Sequence, residues 1–289
     1  PKQQGEDITW RHLPLPHAYV DDNFPVQHID VSRDGTQVAV AGRRGVALYN
    51  NITRRWKLFG SRVEEQSITC KALCWWQHVV IVVNKVKTEH ELLFFPRTHL
   101  ARSSLLHESV LPRQRSPKFI DCNEHYLILM TSDCFFYQYR ILPSYDTERK
   151  IGKIQLLLIH QVSMASVTAD PLLLCLLPLT DDSGGRTTTV TDADVNHQLP
   201  NAFESAKCLI LSANGNLSLA NVENNTQILL AENVEQFWMS ANHPQRDLGE
   251  ILFAHGHAGL QVWFPFVLGT EIHALKLMSR DQSRQFDAE

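Results

Sequence analysis

Fourteen histidines, six cysteines and several paired aspartates give this 289-residue chain enough donors for metal or hydrolytic chemistry, so their spacing decides what they can do. His255-Gly256-His257 comes nearest to a ligand pair. Histidines at i and i+2 of a strand share a face, but a zinc site needs at least one further protein ligand. Gly256 and Gly259 instead predict a hairpin turn here, and His243 falls in a different loop. No metal site is expected. The cysteines (Cys70, Cys74, Cys122, Cys134, Cys175, Cys208) form no C-x-x-C. Cys70 and Cys74 share one strand-like run and are expected on the same face of it, well apart. Most of the six sit in apolar runs, which suits buried free thiols in a reducing compartment better than a disulfide framework. There is no G-x-S-x-G, no P-loop and no dinucleotide-type G-x-G-x-x-G. Asp181-Asp182 and the pair Asp192 and Asp194 lie in a polar tract, where carboxylates cannot be held within catalytic tolerance. The expectation is a chain with no catalytic residues and no cofactor.

The densest positive charge is Arg43-Arg44 and Arg54-Arg55 with Lys57. These residues fall at turns or at the start of a short outer strand. They could line a surface for an acidic partner or a lipid headgroup, or they could be a solvated edge that discourages strand pairing. Trp56, Trp75, Trp76 and Trp263 are expected to wedge between sheets, as large apolar side chains do.

The elements that must position these residues are short strands. Val26 to Ser32, Gln37 to Ala41, Val46 to Tyr49 and Arg55 to Phe59 read as four antiparallel strands joined by Arg33-Asp34-Gly35-Thr36, Gly42-Arg43-Arg44-Gly45 and Asn50 to Thr53. The unit recurs through Ile68 to Val110 and Phe119 to His160. It continues from Val167 to Leu179, resumes at Cys208 to Leu230, and ends with a set from Val234 to Leu277. First strands begin roughly 40 to 50 residues apart once the polar stretch is discounted, a period that fits propeller blades. The expected fold is all-β: a β-propeller of WD-like four-stranded blades over 1–279, forming a partial ring. A disordered insert is expected at about 180–205, and a polar tail or linker at 280–289. A β-sandwich or barrel would also give many short strands.

Composition adds exclusions. A net charge of -4 gives no global case for nucleic acid, and no apolar run is long enough for a spanning helix. The chain opens Pro1-Lys2-Gln3-Gln4 without a signal-peptide pattern, so a fragment of an intracellular protein is expected. Sequons at Asn51, Asn216 and Asn224 point the other way, towards a secreted propeller hydrolase or lectin.

Asp30 to Asn50, followed by Arg54 to Gly60, Glu64-Glu65-Gln66 and Leu73-Cys74-Trp75-Trp76, resembles a particular family. So does a second block, Asn233 to Trp238 and then Gly259-Leu260-Gln261-Val262-Trp263-Phe264-Pro265. Together they are similar to the second propeller of the larger, Ric-one subunit of the Ric–Rgp guanine-nucleotide exchange complex. The family usually carries two glycines where this chain has Lys71-Ala72. The resemblance implies a non-hydrolytic scaffold segment, with an earlier propeller upstream and an α-solenoid downstream. It further implies an Rgp-type partner subunit, activation of a Golgi Rab GTPase in retrograde, vesicle-mediated transport, and residence in the cytosol and on the cytoplasmic face of the Golgi. Peripheral membrane association would then come through the complex. A generic trafficking scaffold is the nearest alternative. Exchange factors act by stabilising the nucleotide-free GTPase through shaped surfaces.

Overall fold

A computed structural model describes residues 12–112, 115–146, 151–165, 170–177, 207–222, 225–240 and 251–263. Among these residues the strands assemble into five antiparallel sheets, each a meander in which successive strands pair. Blade one comprises β1 (His28–Val31), β2 (Gln37–Ala41), β3 (Val46–Asn50) and β4 (Arg55–Lys57). Blade two comprises β5 (Cys70–Trp76), β6 (Val79–Val86), β7 (Glu89–Pro96) and β8 (His107–Val110). Blade three holds β9 (Pro117–Cys122), β10 (Tyr126–Thr131), β11 (Phe135–Tyr145) and β12 (Ile151–Ser163). Blade four holds β13 (Pro171–Leu176), β14 (Lys207–Ser212), β15 (Leu217–Asn221) and β16 (Thr226–Ala231). Blade five shows β17 (Val234–Ser240), β18 (Ile251–Gly256) and β19 (Gly259–Trp263). The fold is a β-propeller, as the strand rhythm predicts. The expected insert at 180–205, the strand at Ile272 to Leu277 and the tail at 280–289 lie outside the described residues.

The cores lie between blades, which explains why central strands read as unbroken apolar runs rather than alternating ones. In β6 the side chains of Val79, Ile81 and Val83 join Leu127, Leu129 and Tyr139 of blade three. Val80 and Val82 turn the other way, into a cluster with Ala39, Val46 and Leu48 of blade one. Strand β7 divides likewise: Leu92 and Phe94 go to one side, Leu93 and Phe95 to the other. Each such aliphatic side chain, taken fully out of water, stabilises by about 1.5–3 kcal/mol. Trp75, Trp76 and Trp263 are buried in these seams. Trp56 is half-buried, with its indole N–H donated to the Pro14 carbonyl at 2.9 Å.

The expectation for Cys70 and Cys74 is corrected. A β-bulge between Cys70 and Ala72 leaves Lys71 without a ladder partner, and one extra residue inverts the facing of all that follows. Cys70 therefore packs towards blade one and Cys74 towards blade three. The pair Lys71-Ala72, where the family has glycines, straddles this bulge.

Two short helices escaped the sequence reading. α1 (His17–Asn23) and α2 (Arg62–Ser67) are seven and six residues long, too short to display a 3.6-residue period. α1 seats Tyr19, almost wholly buried, against Val40 and Ala47. The Tyr19 hydroxyl accepts the Gly42 N–H at 2.9 Å and donates to the Gly45 carbonyl at 3.2 Å.

The meander fixes which turns share an end of the molecule. Turns joining first to second and third to fourth strands lie at one end, termed the near end. Turns joining second to third strands, and the links between blades, lie at the far end.

Candidate functional site

The five basic residues singled out by sequence do not form one patch. Arg43 and Arg44 occupy the β2–β3 turn at the far end, whereas Arg54 ends the β3–β4 turn and Arg55 opens β4 at the near end. Strand β3 separates the two turns by about 14 Å, at ~3.4 Å per residue.

The far-end turn is packed from beneath. The Arg43 N–H donates to the Asn23 carbonyl at 2.7 Å, and the Arg44 guanidinium donates to the Thr69 hydroxyl. A Cβ on Gly42 would stand 1.9 Å from the Asn23 carbonyl oxygen, and one on Gly45 would stand 2.3 Å from Glu65 Cγ. Gly45 also has φ of +66°, which favours glycine. Glu65 is buried beneath the turn and accepts the Asn23 side-chain N–H at 2.5 Å. Burial raises its carboxyl pKa against the lowering effect of that bond.

The near-end turn is differently made. Asn50 Oδ1 accepts the N–H groups of Ile52 at 2.9 Å and Thr53 at 2.8 Å, an Asx turn that holds the loop from within. Ile52 is thereby left at the tip, 75% exposed. Arg54 has φ of +57°. Arg55 and Lys57 stand on one face of β4, in rows with Asn50 and Leu48 of β3. From blade two, Arg97 and Thr98 complete a groove of about 580 Å³. Lys57 Nζ spans the blades by donating to the Thr98 carbonyl at 2.6 Å. Among the described residues, none of Arg54, Arg55, Lys57 and Arg97 is paired with a carboxylate.

A second cavity, of about 360 Å³, opens at the near end of the inner strands, bordered by Arg33, Asp34, Trp75, Trp76, His78 and Glu124. Its charges are largely compensated. Arg33 pairs with Glu124 at 3.5 Å, and Asp34 accepts from the Ser32 hydroxyl and the Thr36 N–H. Behind it, inner strands are joined by half-buried carboxylates. Asp30 accepts the Trp75 N–H at 2.7 Å, and Asp121 accepts the Leu176 N–H at 2.6 Å and the Cys122 N–H at 2.8 Å. Burial raises Asp30 to about 6 and Asp121 to about 7, against the lowering effect of those bonds. They grip neighbouring blades, and the adjacent Cys74 and Cys122 thiols have their pKa raised rather than lowered, so the geometry reads as fastening.

The histidine pair lies where the glycines predict. His255 is the next-to-last residue of β18, which Gly256 closes, and His257 lies in the turn to β19. Both rings approach Glu235 at 3.9 Å, and among the described residues no group of three His, Cys, Asp or Glu could hold a metal. His243 and the aspartates at 181, 182, 192 and 194 lie outside the described residues. Sequence reading missed Arg97, which occupies blade two's counterpart of the Arg54 turn. Aligning third-strand ends between blades would have found it. Nothing in the sequence alone marks Ile52 as exposed, or Asp30 and Asp121 as inter-blade acceptors.

The family model described as "RIC1 second beta propeller domain" matches residues 1–289. The human protein named guanine nucleotide exchange factor subunit RIC1 is 26% identical over 283 residues, covering 89% of this chain and 19% of its own length. Its fission yeast counterpart is 22% identical over 273 residues, covering 89% and 24%. The chain thus spans about a fifth of the human relative's length. Among solved structures, the WD40 domain of SCAP from fission yeast superposes with a TM-score of 0.53 at 12% identity, over 88% of this chain and 56% of that one. A complex of the fission yeast SREBP–SCAP binding domains gives 0.52 at 12%, over 95% and 69%. At such identity these structures speak to the fold alone.

Proposed function

The chain belongs to the RIC1 second beta propeller domain family, and from that premise we propose that it is an interaction scaffold of a guanine-nucleotide exchange factor subunit that activates a Golgi Rab GTPase. The observation that carries the reading is the family match along the whole chain, supported by relatives named as exchange factor subunits. A subunit implies a partner, and the proposed one is of the Rgp type. The described residues support a scaffold: half-buried carboxylates close the blade seams by accepting backbone N–H groups of the neighbouring blade. Exchange requires only that protein contacts favour the nucleotide-free GTPase over the bound form. The proposed location is the cytosol and the cytoplasmic face of the Golgi.

The test is affinity purification of the full-length parent protein from cells, followed by GDP release from the co-purifying GTPase. Recovery of an Rgp-type subunit, with a Golgi Rab enriched when nucleotide is removed, is the expected result. A preparation that recovers neither and releases no GDP would overturn the reading.

A further inference from the structure

Two independent observations meet at the near end of blades one and two. The first is charge: Arg55, Lys57 and Arg97 line one groove, Arg54 precedes them in the turn beside it, and none of the four has a carboxylate partner among the described residues. The acidic residues bordering the inner-strand cavity at the same end are already engaged, Asp34 by its own turn and Glu124 by Arg33. The second is an aliphatic tip. Ile52 stands 75% exposed on a loop pinned by Asn50, so its exposure is built into the turn. An apolar tip on the same turn edge as Lys and Arg is the arrangement that interfacial membrane contacts use, with hydrocarbon entering at headgroup level and cations meeting phosphates. An acidic protein partner would satisfy the charges but would leave the projecting Ile52 without a purpose. The chain's net charge of -4 makes the cluster a local feature of this edge.

We propose that the near end of blades one and two is a membrane-contact surface for anionic phospholipid: Ile52 enters the interfacial layer while Arg54, Arg55, Lys57 and Arg97 engage headgroup phosphates. Arg43 and Arg44, at the opposite end, take no part. The inference stands apart from the exchange-factor reading, because it concerns direct lipid contact by this segment.

The experiment is vesicle flotation of the full-length parent protein in its complex, on phosphatidylcholine vesicles with and without phosphatidylserine. Each cation near an anionic surface contributes about fivefold in partition. R54E/R55E/K57E is therefore expected to lose binding to phosphatidylserine vesicles by more than about tenfold, and Ile52→Asp by several-fold. R43E/R44E should float like the parent, and Ile52→Trp should float better. Thermal unfolding of each variant separates lost binding from lost fold. Equal flotation by the parent and the near-end variants would overturn the proposal, as would binding indifferent to phosphatidylserine. Should the triple variant keep vesicle binding but lose a co-purifying acidic protein, the surface belongs to that protein and the lipid assignment falls. GDP release measured in solution without vesicles should not change in R54E/R55E/K57E, so failure here is distinguishable from failure of the exchange reading.

Discussion

The two arginine-bearing turns of blade one look alike in sequence and are opposites in construction. Gly42 to Gly45 is shaped from outside, by the Asn23 carbonyl, the Tyr19 hydroxyl and the Glu65 side chain pressed against its backbone. Residues 51–54 are shaped mainly from inside, by the Asn50 side chain, with the Asn51 N–H tied at the loop's base to the Thr36 carbonyl at 2.8 Å. The first turn has no room for a side chain at either glycine, and the second has an exposed residue at its tip. Blade five repeats the first kind. Gly256 lies against the Asn233 carbonyl as Gly42 lies against that of Asn23, and Gly259 carries a positive φ as Gly45 does. The far-end joint is thus a structural module, while the near-end turn is available for contact.

The contrast can be broken at its rigid side first. Gly42→Ala should destabilise the domain by about 3 kcal/mol or more, because the new methyl meets backbone that cannot move aside. Gly60→Ala, with open space around it, is expected to be near-neutral; urea unfolding of both reads the difference. A smaller effect is expected at the inner-strand fasteners. Asp30 and Asp121 have folded pKa values raised above those of the unfolded chain. The folded state therefore binds more protons, so the stability they contribute is full below pH ~4 and lost as pH rises through about 6 to 7. Asp30→Asn, which keeps an acceptor for the Trp75 N–H, should flatten that decline and raise stability at pH 8 by roughly 1–3 kcal/mol. Unchanged pH dependence in the variant would show that the carboxyl stays solvated. Glu65→Gln retains an acceptor for Asn23 and should cost about 1 kcal/mol or less, whereas Glu65→Ala, which leaves the Asn23 N–H unmet, should cost about 1–3 kcal/mol by chemical unfolding. The smallest effect sits in the permissive turn: Arg54→Gly removes a side chain from a left-handed residue and should stabilise by about 0.5–1 kcal/mol, read as a small rise in Tm.

The blade rhythm was legible because a seam buried on both sides demands β-branched and aromatic runs punctuated by turn residues, and Val79 to Val83 shows this directly. The Gly42-x-x-Gly45 turn was legible for the same reason. Facing was less so: the bulge at Lys71 leaves no mark on the apolar pattern, yet it sends Cys70 and Cys74 into different cores. The short helices were hidden by their length. For the basic surface, the residue types were visible, but their division between two ends follows from the five-residue strand that crosses the sheet between the two turns. Linear proximity of Arg44 and Arg54 conceals that crossing. Arg97 joins the groove from another blade, across a distance in sequence that only the fold closes.

The free thiols carry a consequence of their own. Cys70 and Cys74 belong to blade two, Cys134 to blade three and Cys208 to blade four, all buried, while Cys122 and Cys175 are half-buried. Enclosure raises the pKa of Cys70 to about 12, with Cys74 and Cys208 also pushed upward, so these sulfurs are poor nucleophiles while the seams stay shut. Each becomes competent only when its own neighbourhood breathes. A timed pulse of a small alkylating reagent, read peptide by peptide, would therefore give the order in which the middle blades come apart, using labels the chain already contains.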